Sequence, residues 1–409
     1  MYAGKLMSKH LWYGISLAYA FLIALTVSAC AGPGNAQGVS APIGPTTYSA
    51  SQPNPESSRL SPCVLRNISL GFTPSGMTLD PGTNRLFVSD GYSRIWSFNG
   101  STLAVIHVWG NLASPTGLSF GSETGGLYAA DLLGSTVSVI NGTSNLLAAS
   151  IPVPAEPSYV VYDTTTHRLF VSSIGDVYEE HGYVSMIDPQ TNTVLRSVQV
   201  GASPYGMAFN PSTGTVYVAN ADSNNVTIIN GTSGAIEGSI PVGAYPTLVA
   251  FDSESGSIYV ADAGANVISV IDAKTNVVAG TIADSSGYGI RGLTTDPKSG
   301  ELLVLNQEGL AEIDPLNGAL RVSLDLNHPW VGVLDAAEGL YYVGGESENL
   351  FVVSLSGTCS TPPGPGLLGL PDDEGLMVIG SVVTVALATA VVAIWRRGRR
   401  KRKARERVK

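Results

Sequence analysis

From Pro204 to Tyr245 the chain reads PYGMAFNPSTGTVYVANADSNNVTIINGTSGAIEGSIPVGAY. Its apolar positions fall into four short runs, GMAF, TVYVAN, VTIIN and AIEGSIPV, divided by Gly, Asn, Pro and Ser clusters. Runs this short, rich in β-branched and aromatic residues and bounded by turn formers, predict a four-stranded antiparallel meander. Asn230-Gly231 is expected to supply the positive φ angles of a two-residue hairpin between the third and fourth runs. Ser212-Thr213-Gly214 is expected to turn the chain between the first and second.

The same pattern restarts at Pro74, Pro115, Pro157, Pro204, Pro246, Ile290 and Pro329, about every 42 residues. A four-stranded sheet of this size buries too little to stand alone, so the copies must pack face to face until a ring closes. The expected fold is therefore all-β, a seven-bladed β-propeller of four-stranded antiparallel blades over residues 63–359. The second runs RLFVSD, GLYAAD, TVYVAN, SIYVAD and ELLVLN end in Asp90, Asp131, Asn220, Asp262 and Asn306. These side chains read as caps on the turn that follows each strand. The seventh copy runs out at SGTC with only three strands, and CVLRNISLG (Cys63–Gly71) aligns with the fourth run AIEGSIPVG when both are counted back from the next Pro. The N-terminal segment should therefore complete the last blade, which removes an open edge and brings Cys63 within disulfide range of Cys359.

Tyr217-Val218-Ala219-Asn220 followed by SNNVTIIN, and Tyr259-Val260-Ala261-Asp262 followed by ANVISVID, resemble the YVTN-type propeller repeat of archaeal surface-layer and related secreted proteins. The resemblance covers residues 63–359, with Ala or Ser where the family pattern has Thr. It implies a propeller outside the cell membrane, often without catalytic activity.

The ends of the chain point the same way. Residues 1–30 carry Lys5, Lys9 and His10, an apolar run and then VSAC, the form of a secretory signal or N-terminal membrane segment. The VSAC sequence also resembles a lipobox, which would place a lipid on Cys30. Residues 31–62 are Gly, Pro, Ser and Gln rich and read as a disordered linker; residues 360–375 read as a second Pro/Gly linker. Residues 376–395, LMVIGSVVTVALATAVVAIW, hold no charge and match the thickness of a bilayer core. The basic tail 396–409 should then lie in the cytoplasm, with the propeller extracellular on a single-pass or two-pass membrane protein. Five sequons, at Asn67, Asn99, Asn141, Asn225 and Asn230, are candidate glycosylation acceptors.

Charge changes the picture in one respect. The whole chain is −10, but the tail holds ten Lys or Arg against one Glu, and Lys5 and Lys9 lie at the other end, which leaves −21 between them. A region this acidic repels nucleic acid, so no nucleic-acid partner is expected. The partners implied are the membrane and an envelope protein or glycan.

Local chemical motifs are missing: no nucleophile elbow, haem motif, zinc-spaced His/Cys set or phosphate loop occurs in the sequence. Loops entering the first strands converge on one mouth of the ring and carry Tyr159, Tyr205, Tyr245, Tyr288, Arg291, His328 and Trp330. Such aromatics could hold a sugar or a peptide, or simply plug the top of the channel. The third copy is lengthened by IGDVYEEHGY, where Asp176, Glu179, Glu180 and His181 could take a divalent cation or a partner. No other cofactor is expected. The leading reading is a binding or cell-envelope structural module; the alternative is an extracytoplasmic propeller enzyme of lactonase or lyase type, using the channel mouth.

Overall fold

The structure, a computed structural model, describes residues 61–175, 180–283 and 289–357. Within them 28 strands form seven four-stranded antiparallel sheets. Blades 1 to 6 are consecutive meanders that start at Gly76, Pro115, Pro157, Pro204, Pro246 and Gly292. Blade 7 takes Pro329–Asp335, Leu340–Gly345 and Asn349–Ser354 from the C-terminal side and Cys63–Ser69 as its outer strand. The first strand of each blade neighbours that of the next, and Pro329–Asp335 neighbours Gly76–Asp80, so the ring is shut by its own two ends. The fold is a seven-bladed β-propeller, and the closure follows the sequence expectation.

The burial pattern explains why seven weak sheets hold together. The second strand of blade 4, Thr215–Asn220, is buried at every position because neighbouring blades cover both of its faces. The outer strand of blade 3, Thr193–Gln199, is almost wholly exposed. Among the described residues the buried apolar side chains form seven clusters, and each spans two adjacent blades. Tyr217, Ala219 and Ile228 of blade 4 pack on Val249, Ile258 and Ile271 of blade 5. The last cluster joins Tyr342 and Val352 of blade 7 to Leu86 and Val88 of blade 1. The core is therefore a ring of interfaces rather than a centre, which is the expected way for a repeat to bury a face it cannot cover alone.

One turn differs from expectation. Neither Asn230 nor Gly231 has a positive φ; the left-handed residue is Gly234, at φ 64°. Asn230 Oδ1 instead accepts the N–H groups of Thr232 and Ser233, at 3.0 and 2.9 Å, and the Gly234 N–H returns to the Asn230 carbonyl at 2.8 Å. The hairpin is thus a longer loop opened by an Asx turn and closed by a left-handed residue four positions on. Asn145, Asn192, Asn276 and Gly318 hold the same place in blades 2, 3, 5 and 6.

Candidate functional site: the mouth of the ring

Each first strand begins on the face where the preceding fourth strand and its own second strand end. One side of the ring therefore gathers all the loops entering the blades together with every second-to-third-strand turn. The backbone there is unusual and repeated. The residue before the blade-opening Pro is left-handed in five blades: Ser114, Glu156, Ser203, Tyr245 and His328, with φ between 53° and 61°. Non-glycine residues rarely adopt this conformation, least of all before proline. It is held by one hydrogen bond per blade: their carbonyls accept the N–H of Leu132, Ile174, Ala221, Ala263 and Glu346 at 2.9–3.0 Å. The same scaffold thus presents five side chains of four kinds around the mouth.

Two groups of side chains assemble on it. On blades 6 and 7, Arg291 pairs with Glu346 at 2.6 Å, and its guanidinium lies 5.0 Å from the Trp330 ring centroid. Trp330 is 40% exposed, and His328 is exposed beside it. On blades 3 to 5, Ser158 Oγ donates to the Pro204 carbonyl at 3.3 Å and Ser172 Oγ to the Tyr205 carbonyl at 2.8 Å. Ser203 Oγ donates to Asp222. Burial first, then the neighbouring Tyr245 hydroxyl and the charges of Asp222 and Glu156, push the Tyr205 phenol well above its ordinary pKa. Tyr245 is 40% exposed. Tyr159 stands deeper: burial raises its pKa, and its proximity contributes to that of Tyr341 in blade 7.

The mouth expectation thus divides. Tyr205 and Tyr245 meet, as do Arg291 and Trp330, while Tyr159 pairs in register with Ser172, whose hydroxyl donates to the Tyr205 carbonyl. Tyr288 lies outside the described residues. Glu156, Ser203, Asp222 and Glu346 were missed, although all four adjoin a signal visible in the repeat: Glu156 and Ser203 directly precede its Pro, and Asp222 and Glu346 lie in the turns packed against that position.

The lengthened loop of blade 3 opens onto the same face. Its start is pinned by the Ile174 and Gly175 N–H groups donating to the carbonyls of Glu156 and Ala155, and its end by Gly182 pairing with Val200 and Gly201. Glu180 is exposed, and His181 Nε2 lies 3.2 Å from the Tyr183 hydroxyl. Asp176 and Glu179 lie outside the described residues. Among the described residues no group of three or more His, Cys, Asp or Glu is placed to hold a metal ion.

The Asp and Asn residues that end the second strands follow two patterns. Asp90 Oδ1 accepts the N–H groups of Tyr92, Ser93 and Arg94, and Asn306 Oδ1 those of Glu308 and Gly309, as turn caps should. Asp131, Asn220 and Asp262 depart from the expectation. They are almost fully buried and reach sideways to the third strand, to Ser138 at 2.5 Å, Thr227 at 2.8 Å and Ser269 at 2.6 Å. Burial raises the pKa of both carboxyl groups, against partial offset from those hydroxyls.

Among the sequons, Asn99, Asn141 and Asn230 open third-to-fourth-strand turns on the face opposite the mouth, and Asn67 is exposed on the outer strand of blade 7. Asn225 Oδ1 accepts the Asn220 amide at 2.7 Å. Cys30, Cys359 and the apolar stretch 376–395 lie outside the described residues, among which no helix is long and apolar enough to cross a membrane.

No family model matches this chain. No curated protein matches it either. Among solved structures, a chain in a crystal structure of a mitotic checkpoint complex superposes with a TM-score of 0.64 at 13% identity, covering 77% of this chain and 98% of that one. At that identity the likeness shows the fold alone. The class that fold and comparison define is the seven-bladed β-propeller.

Proposed function

We propose that this chain is a membrane-anchored extracellular propeller, a binding or cell-envelope structural module of the kind its YVTN-like repeats suggest, and that it binds through the mouth. One observation carries the reading. Cys63 opens the outer strand of blade 7 opposite Ser354, and the Leu355 N–H donates to the Gly339 carbonyl at 3.0 Å, in the first turn of that blade. Both ends of the propeller therefore leave from the face opposite the mouth. With the apolar stretch 376–395 in a membrane, that face is the tethered one and the aromatic mouth is free to meet a partner. The reading includes a Cys63–Cys359 cross-link, for which Cys63 not being a free thiol is support. It also includes lipid attachment or cleavage at Cys30 and glycans on exposed sequons. Protease added to intact cells should remove the propeller and spare an epitope on the tail 396–409; a propeller protected under those conditions would overturn the topology.

A further inference from the structure

The ring is not equally filled at every seam. In blades 2 to 5 the next-to-last residue of the first strand is Phe120, Tyr162, Phe209 or Phe251, and each ring packs against an inter-blade cluster. Phe120 stacks on Phe87 and Tyr162 on Tyr128, with ring centroids 5.7 and 6.3 Å apart. Blade 6 has Thr295 at this level, whose hydroxyl donates to the Phe251 carbonyl at 3.1 Å. Blades 1 and 7, which meet where the ring closes, carry Leu79 and Leu334. Two shorter side chains on adjacent blades leave space that the surrounding strands do not recover. A pocket of about 310 Å³ opens there on the face opposite the mouth, lined mainly by Leu79, Pro81, Val333, Leu334 and Ala336. Leu79, Val333 and Leu334 belong to the margins of two core clusters and are only half-buried.

The place of the pocket says what covers it. Asp335, Leu340 and Ser354 pair in succession across the lower edge of blade 7, so the last described strand ends two strand spacings, about 10 Å, from the pocket wall. The Leu355 N–H donates to the Gly339 carbonyl, in the same turn as Ala336 and Ala337. Thirteen residues past Ser354 the sequence reads Leu367-Leu368-Gly369-Leu370, a compact apolar group inside the Pro/Gly linker. Thirteen extended residues reach about 43 Å, more than the span requires. In the N-terminal linker Val39, Ile43, Tyr48 and Leu60 are scattered singly and form no such group. We propose that the leucines of Leu367–Leu370 seat in the pocket between blades 7 and 1, so that the C-terminal linker finishes the closing seam. Docking buries leucine and pocket surface together, and Pro362, Pro363, Pro365 and Pro371 limit the chain freedom that is lost. The docking stands on the propeller alone, but its consequence rests on the membrane reading. Five residues then separate Leu370 from the apolar stretch 376–395, which holds the face opposite the mouth close to the bilayer.

The full-length chain, in detergent micelles, carries a photo-crosslinking amino acid at position 368 and is prepared as a mixture of isotopically light and heavy chains. Peptide mapping should join position 368 to residues 78–81 or 333–337 of the same chain. The cross-link should be lost in Leu79→Phe, which puts back the ring found in blades 2 to 5. It should also be lost in Leu367→Ser/Leu370→Ser, which leaves the propeller unaltered. Thermal midpoints show whether each variant is folded, and the second variant decides the matter if the first is not. A cross-link between light and heavy chains puts a second copy in the pocket, and one to detergent or to another part of the propeller leaves the linker undocked. Either result overturns the proposal, as does a cross-link that survives both variants. The protease test of orientation in cells is independent of these outcomes and can fail while the docking holds.

Discussion

Asp131, Asn220 and Asp262 occupy equivalent positions in blades 2, 4 and 5 and reach the same hydroxyl position on the third strand, but the two acids accept from that hydroxyl while the amide donates to it. The amide shows what the site accommodates, since Asn220 Nδ2 donates to both Asn225 and Thr227. A carboxyl there is penalised when ionised, and its folded pKa is raised by burial. Below the unfolded pKa it is neutral in both states and costs nothing. As pH rises from there through the folded pKa, stability falls, and above the folded pKa the loss is complete. Asp262→Asn should therefore raise the thermal midpoint near neutral pH and leave it unchanged well below the ordinary carboxylate range. An equal shift at both pH values would mean that ionisation is not the cause. A second expectation concerns Gly206, where an added Cβ would lie 2.6 Å from the Thr247 carbonyl oxygen of the next blade. Gly206→Ala should cost on the order of 2 kcal/mol or more, read from denaturant unfolding. The strand-end acids were visible in the sequence, but their direction was not, because a residue at that place can cap its own turn or cross to the next strand. The discriminating signal is a hydroxyl seven residues on, at Ser138, Thr227 and Ser269; it is absent after Asn306, where position 313 is Ile, and after Asp90 the hydroxyl of Ser97 is already engaged by Arg85.

Adjacent blades are also joined at the turn face, through the second strand. Tyr217, fully buried, donates to Asn276 Oδ1 in the third-to-fourth turn of blade 5 at 2.7 Å, and Tyr342 donates to the Gly100 carbonyl in the matching turn of blade 1 at 3.2 Å. Burial, with the charges of Glu237 and Asp272, pushes the Tyr217 phenol up to about 12. In blade 1 the corresponding ring is Phe87, which has no hydroxyl. Arg85 supplies the missing bonds, donating to the Gly142 carbonyl at 2.7 Å and to Asn145 Oδ1 at 2.6 Å while stacked near Phe87 and Trp109. Tyr217→Phe should cost about 1 kcal/mol, the usual net value of a buried hydrogen bond. Arg85→Ala removes bonds and packing together and should cost more, roughly 2 kcal/mol or above. Equal and negligible effects in equilibrium unfolding would show that the apolar clusters alone hold the blades. The strands themselves were readable because short β-branched and aromatic runs bounded by turn formers leave no competing structure. The Asn-Gly turn was misread for a physical reason: the dipeptide favours a two-residue hairpin, but the Asx turn formed by Asn230 shifts the left-handed position to Gly234.

Ring closure was readable at the scale of the whole molecule because a missing strand at one end and a surplus strand at the other leave one economical solution. The mouth was readable only in part. Its aromatics come from loops distant in sequence, and which of them meet depends on the left-handed residues before each Pro rather than on any local motif. Closure by Cys63–Ser69, taken with the proposed export, predicts a Cys63–Cys359 cross-linked peptide on non-reducing mapping; recovery of both as alkylatable thiols would refute that cross-link. Orientation is the central claim, because it decides which face can meet a partner. It is tested most directly with a donor dye placed by a non-natural amino acid at Tyr92, 79% exposed on the mouth face, or at Leu316, 92% exposed on the opposite face. The full-length chain is reconstituted in vesicles with an acceptor in the lipid headgroups. The account predicts markedly stronger energy transfer from position 316 than from position 92, and equal transfer from both or stronger transfer from 92 would contradict it.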